Sequence, residues 1–216
     1  MMLPRTRQRI WDISQKLHAG VPVWPGDTAF GQVDTWQIGD GSPVNVSALT
    51  MSTHSGAHAD APLHYDAASP DIASVDLDAY LGDCLVVDAR DCGAAIQPEI
   101  LPELGEAQRI LFRTYDAFPH DAWRQDFTAI AAETIAELAS RGVRLVGIDS
   151  PSIDPQNSKT MEAHQAVLAA DMRILEGLVL DSVPAGRYEL IALPLPIAGG
   201  DASPVRAILR ELADAG

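Results

Sequence analysis

The sequence predicts one domain of the α/β (mixed α+β) class. Its 216 residues, 47% of them apolar, are enough to close a single core. A helix-spaced apolar stripe, Ile135, Leu138 and Ala139 within 128–141, stops at Gly142 and passes at once into an apolar strand, 143–148. Two earlier apolar runs, 84–88 and 109–114, read as further strands, and this succession of strands and helices is the rhythm of a mixed domain.

Taken in order, 10–17 is a short mixed segment that leads into Gly20-Val21-Pro22-Val23-Trp24-Pro25-Gly26-Asp27. Two prolines and two glycines make that stretch a loop. On residues alone, Trp24 reads as a seal at the core edge. Alternating apolar positions make strands of 30–38 and 44–51, joined through Gly39-Asp40-Gly41-Ser42-Pro43. In the second of them Asn45, Ser47 and Leu49 alternate with Val44, Val46 and Ala48, so one face is polar enough to border a site. A turn-rich connection follows at 65–70, then a short helix or turn near 77–81 whose Asp76, Asp78 and Asp83 read as solvated surface. Pro98 opens a helical turn between strands 84–88 and 109–114.

Beyond strand 143–148, Pro151, Pro155 and Asn157 keep 149–161 irregular, and connections of that length are often functional. Thr160 stands where it would cap a helix from Met161 to about Met172, with Glu162 favourable in the first turn. A strand at 188–195 precedes a loop that Pro194 and Pro196 stiffen and Gly199 and Gly200 loosen. The chain is expected to close with a helix, 205–213, with Ser203 as N-cap and Pro204 at its first position.

The net charge of −15 argues against nucleic acid or an anionic membrane as partner. Met1 to Arg9 carries three arginines with no apolar run after them, so no secretory signal is expected. No apolar run is long enough for a membrane-spanning helix. Cys84 and Cys92 do not fit a CxxC pair and read as free thiols of a cytoplasmic protein.

The chemistry concentrates in His54-Ser55-Gly56-Ala57-His58-Ala59-Asp60-Ala61-Pro62-Leu63-His64, which holds three of the six histidines and an aspartate. Imidazole and carboxylate suit Zn²⁺, Mn²⁺ and related ions. On a helix, Asp60 and His64 would turn away from the face shared by His54 and His58. On a strand, His54 and His64 would stand roughly 33 Å apart. A bent chain brings the donors together, and Gly56 and Pro62 permit or impose bends. A single histidine is ordinarily a hydrogen-bonded core or surface residue; three with an aspartate in so short a stretch read as a metal site. His164 and Glu176 are open on residues alone, as an exposed helix histidine and a helix-end carboxylate or as further ligands.

The stretch resembles the H-x-G-T-H-x-D-x-P-x-H signature of the metal-dependent cyclase-like hydrolases, and within them the bacterial kynurenine formamidases. Ala57 stands where the wider signature has Thr. The resemblance extends over most of the chain, with His164 and Glu176-Gly177-Leu178 matching a later His and a Glu before E-G-L. It implies a cyclase-like fold of the swivelling β/β/α type, with a mixed sheet or barrel-like β core and a few helices. It also implies two Zn²⁺ per subunit, held by His54, His58, Asp60, His164 and Glu176, and a homodimer. Asp60 would bridge the ions. His64 is then left to act as general base and general acid beside a metal-bridging hydroxide. Trp24 would meet the aryl ring of the substrate. The substrate implied is N-formyl-L-kynurenine, hydrolysed to formate and L-kynurenine in tryptophan degradation. A cyclic-amide hydrolase of the isatin type and a non-catalytic metal-binding protein remain as alternatives.

Overall fold

The computed structural model describes residues 8–39 and 41–212. In chain order its elements are β1 (Ile10–Asp12), β2 (Gly31–Trp36), β3 (Val46–Thr50), β4 (His58–Asp60), β5 (Leu81–Asp88), β6 (Ala95–Ile96), β7 (Arg109–Arg113), β8 (Ala129–Ile130), α1 (Ala132–Ser140), β9 (Leu145–Ile148), α2 (Glu162–Ala169), β10 (Arg173–Glu176), β11 (Gly186–Ile191), β12 (Ala202–Pro204) and β13 (Ile208–Glu211). Nine strands form one mixed sheet in the order β1-β13-β11-β5-β7-β9-β10-β4-β12. Its centre, β5-β7-β9-β10, is parallel. Antiparallel strands extend it on both sides, β11, β13 and β1 beyond β5, and β4 and β12 beyond β10.

Alternation along the central strands divides the core in two. Ile110, Phe112, Val146, Ile148 and Ile174 pack with Ile135 and Leu138 of α1 and Ala163 and Val167 of α2. Leu111, Leu145 and Leu175 point the other way, into a second cluster. That second cluster joins Trp11 of β1 to Ala59 of β4, although those strands lie near opposite ends of the sheet order. The sheet therefore curls into a half-barrel around it. Cys84 and Cys92 are unpaired. No helix among the described residues is long and apolar enough to cross a membrane.

Most expected strands and the two central helices are where the pattern puts them, with shorter bounds. Two expectations fail. The closing helix 205–213 is instead β13 and the chain leading to it; Val205, Ala207 and Leu209 are buried while Arg206 is exposed, a period of two rather than 3.6. Residue 213 lies outside the described residues. Ser203 and Pro204 belong to β12 and cap nothing. The second failure concerns 30–51. Among the described residues β2 and β3 pair only with each other, nearly every side chain in them is exposed, and none lines the cavity described below. Asn45 accepts from the Ile38 amide, and Ser47 bonds Asp34 and Gln32 within the hairpin, so its polar face serves its own fold.

Candidate metal centre and its cavity

The His54–His64 stretch bends twice, as its glycine and proline predict. Gly56 adopts φ +66°, in the left-handed region. After three extended residues in β4, Pro62 opens a 3₁₀ turn that ends at His64. His58 and Asp60, two apart on β4, point to one side. The antiparallel register sets Glu176 of β10 opposite His58, and Glu176 Oε2 stands 3.3 Å from His58 Nε2. Gly177 follows with φ +64°, and a Cβ there would lie 2.4 Å from the Gly56 carbonyl oxygen. The two segments that carry these side chains can approach so closely only because both turn at glycine.

Asp60 is the centre of the cluster. His54 Nδ1 lies 3.1 Å and His58 Nε2 3.5 Å from its Oδ1, and His164 Nε2 lies 3.4 Å from its Oδ2. None of these nitrogens lies on the line a hydrogen bond needs. His58 Nε2, both Asp60 oxygens and His164 Nε2 are buried with no hydrogen-bond partner. Buried polar atoms are normally paired, and four that converge without partners are what a metal-binding cluster presents. Donor atoms of His54, His58 and Asp60 lie within 4.8 Å of one another, as do those of Asp60, His64 and His164. This donor set, imidazole and carboxylate, fits a borderline divalent ion.

Surrounding groups fix the ring orientations. His58 Nδ1 donates to the Gly56 carbonyl at 2.9 Å, which leaves the Nε2 lone pair facing inward. His164 Nδ1 stands 2.7 Å from Asp154 Oδ2, and Asp154 also accepts from the amides of Ala163 and His164. Asp154, rather than Thr160, thus caps α2; Thr160 spends its hydroxyl on the Glu162 carboxylate, and Met161 stands at the helix start with φ +50°. His54 Nε2 lies 3.0 Å from Asp201 Oδ2, which is also 3.5 Å from His64 Nδ1. Glu176 Oε1 accepts from the Ile153 amide at 2.7 Å.

The electrostatics follow from this crowding. Burial works against a charged His54, but the Asp60 and Asp201 carboxylates outweigh it and lift its pKa to about 9. For His164, burial is likewise overcome by Asp154 and Asp60, with a pKa raised to about 10. Burial pushes the Asp60 carboxyl up, yet His164 and His54 hold it well below the usual carboxylate range.

These residues open onto a cavity of about 540 Å³. His54, His58, His64, His164 and Glu176 line one part of it, and Trp24, Trp123, Phe118 and Tyr115 line another. Trp24 meets Trp123 edge-to-face at 5.4 Å, and the Trp123 indole donates to Gln156 Oε1 at 2.8 Å. Trp24 thus contributes to an aromatic cavity wall. Asp149, also on the wall, accepts from Thr114 and the Tyr115 amide; burial nevertheless lifts its pKa to about 6. All seven residues singled out from the sequence gather here, Asp60 beneath the cavity lining. Asp154, Asp201, Asp149 and Trp123 were not singled out. The Pro-flanked loop 149–161 and the Gly199-Gly200-Asp201 loop were the signals available for the first three.

A family model described as "Putative cyclase" matches residues 11–155. Kynurenine formamidase of Erythrobacter litoralis is 62% identical over 98% of this chain and 98% of its own, and that of Maricaulis maris is 59% identical over 94% and 99%. A predicted metal-dependent hydrolase from Bacillus stearothermophilus shares 27% identity over 96% of this chain and 100% of its own, with a TM-score of 0.82. Isatin hydrolase A from Labrenzia aggregata, 24% identical with 94% and 93% covered and a TM-score of 0.79, shares the fold. Fold and site together define a cyclase-family protein. The chain belongs to that family, in the branch of the kynurenine formamidases.

Proposed function

We propose that the chain hydrolyses N-formyl-L-kynurenine to formate and L-kynurenine, with two Zn²⁺ held by His54, His58, Asp60, His164 and Glu176. The observation that carries this reading is the convergence of unpartnered buried donors on Asp60 at one part of a cavity with an aromatic wall. When bound, divalent ions supply positive charge for a developing oxyanion and a water of lowered pKa. The chain's own residues do the rest. Asp154 and the Gly56 carbonyl fix the tautomers of His164 and His58, so that their Nε2 atoms face inward. Trp24 and Trp123 hold the aryl ring, which sets the formamide toward the histidines.

His64 takes a proton from the attacking water and returns it to the departing arylamine, a poor leaving group without it. Its nitrogen reaches the same space as the ligands, but its side chain, unlike those of His58 and His164, is 30% exposed, as a group exchanging protons with solvent requires. A homodimer is supported by the β2–β3 hairpin. Val33, Trp36, Ile38 and Leu49 are 71%, 57%, 67% and 58% exposed, and a two-stranded hairpin with bare apolar side chains is marginal until something covers it. Two unpaired thiols accord with a cytoplasmic setting.

The test is turnover by metal-loaded protein. Hydrolysis of N-formyl-L-kynurenine far faster than of isatin, lost with a chelator and restored by Zn²⁺, is expected. Preference for isatin, or no turnover of either with metal bound, overturns the reading.

A further inference from the structure

Among the described residues, Arg124 is the only arginine or lysine on the cavity wall, next in sequence to Trp123. The chain carries 30 acidic against 15 basic residues, and its other described arginines are occupied. Arg90, Arg141, Arg144, Arg173, Arg187, Arg206 and Arg210 pair with carboxylates, Arg109 and Arg113 donate to backbone carbonyls, and Arg9 lies over Trp11. Among the described arginines, Arg124 alone has no ion pair, no side-chain hydrogen bond and no aromatic ring beneath its guanidinium. Asp27 lines the same cavity and Asp126 is close in sequence, yet neither lies within ion-pair distance of the guanidinium. A guanidinium is a planar, permanently charged fork suited to carboxylate. Left free on the wall of a cavity in an acidic protein, it attracts an anion from solvent.

We propose that Arg124 is a specificity-determining residue that binds a carboxylate carried on the substrate away from the scissile bond. The inference rests on the proposed formamidase reading and refines its substrate class: an aryl formamide whose ring bears a carboxylate arm, in preference to a neutral aryl amide. The geometry is consistent with three contacts on one ligand. The formamide meets the histidines, the ring meets Trp24 and Trp123, and the arm reaches the guanidinium beside Trp123. N-formyl-L-kynurenine has that arm; a neutral cyclic amide does not.

The experiment compares kcat/KM of the zinc-loaded protein for N-formyl-L-kynurenine and for N-(2-acetylphenyl)formamide, which keeps the ring, ketone and scissile bond but lacks the amino-acid arm. The native chain should favour the charged substrate by about tenfold or more, the range of a charge-assisted contact at a partly open site. That preference should shrink in high salt as screening sets in. Arg124→Gln should bring the ratio close to one and Arg124→Lys should restore part of it. Because both substrates are measured on one preparation, partial misfolding of a variant leaves the ratio intact. A ratio unchanged in Arg124→Gln, or a native chain that does not discriminate, overturns the proposal while the formamidase reading stands. Failure of the native chain to cleave either formamide instead removes the reading beneath it.

Discussion

Asp154 links the backbone of α2 to the ring of His164: one oxygen accepts from the Ala163 amide, and the other takes the His164 amide and faces Nδ1. Asp154→Asn should therefore weaken zinc binding about 10–100-fold, the usual effect of losing a carboxylate behind a ligating imidazole, and competition with a chromophoric chelator measures it. His64→Ala should behave in the opposite sense, keeping its zinc and losing roughly 10²–10⁴ in kcat. Zinc lost along with activity would make His64 a ligand. The metal-free protein also has a pH signature. His54 and His164 bind protons more tightly folded than unfolded, with pKa values of about 9 and about 10 against 6.5. Their contribution to stability is full below pH 6.5 and lost as pH rises through 9 to 10. Thermal unfolding of the chelated protein should show Tm falling across that window, and a flat profile would refute the pairing. At this scale the cluster was legible because His54, His58, Asp60 and His64 are neighbours in sequence. Asp154, Asp201 and Arg124 were not, since each acts through a group or cavity that only the folded chain supplies.

Among the elements, α1 and β9 were readable because a clean helical stripe ends at a glycine and an apolar run follows. Its start was read too early: 128–131 is extended, and β8 pairs with β6 there. The C-terminal segment misled through Ser203 and Pro204, which imitate a helix start, while the alternating burial of Val205, Ala207 and Leu209 carried the true period. For β2 and β3 the strand pattern was right and the neighbourhood wrong, because periodicity gives a strand its faces but not its partner. Exposed apolar groups on both strands lead to the prediction at this scale. Val33→Asp combined with Leu49→Asp should convert a dimer into a monomer by sedimentation while circular dichroism stays native, since both side chains are largely exposed. A dimer that survives would exclude the hairpin as its interface.

Across the whole molecule, the parallel centre is assembled from segments that succeed one another, β5, β7, β9 and β10, with α1 and α2 between them. The candidate metal cluster is different. It exists only once β4 has joined β10, setting His58 against Glu176, and once β12 has closed on the other edge of β4. Those pairings span a large part of the chain, and joining distant segments costs loop entropy before any contact rewards it. The cavity is therefore a late product of folding, and a metal ion has nothing complete to bind until the chain is almost native. Zinc should accordingly act on one limb of the kinetics. Denaturant jumps with and without zinc should give similar refolding rates but much slower unfolding for the loaded protein, because the bond is present in the native state and absent from the barrier. An ion held there would then act as a clasp, setting how long the molecule lasts rather than how quickly it forms.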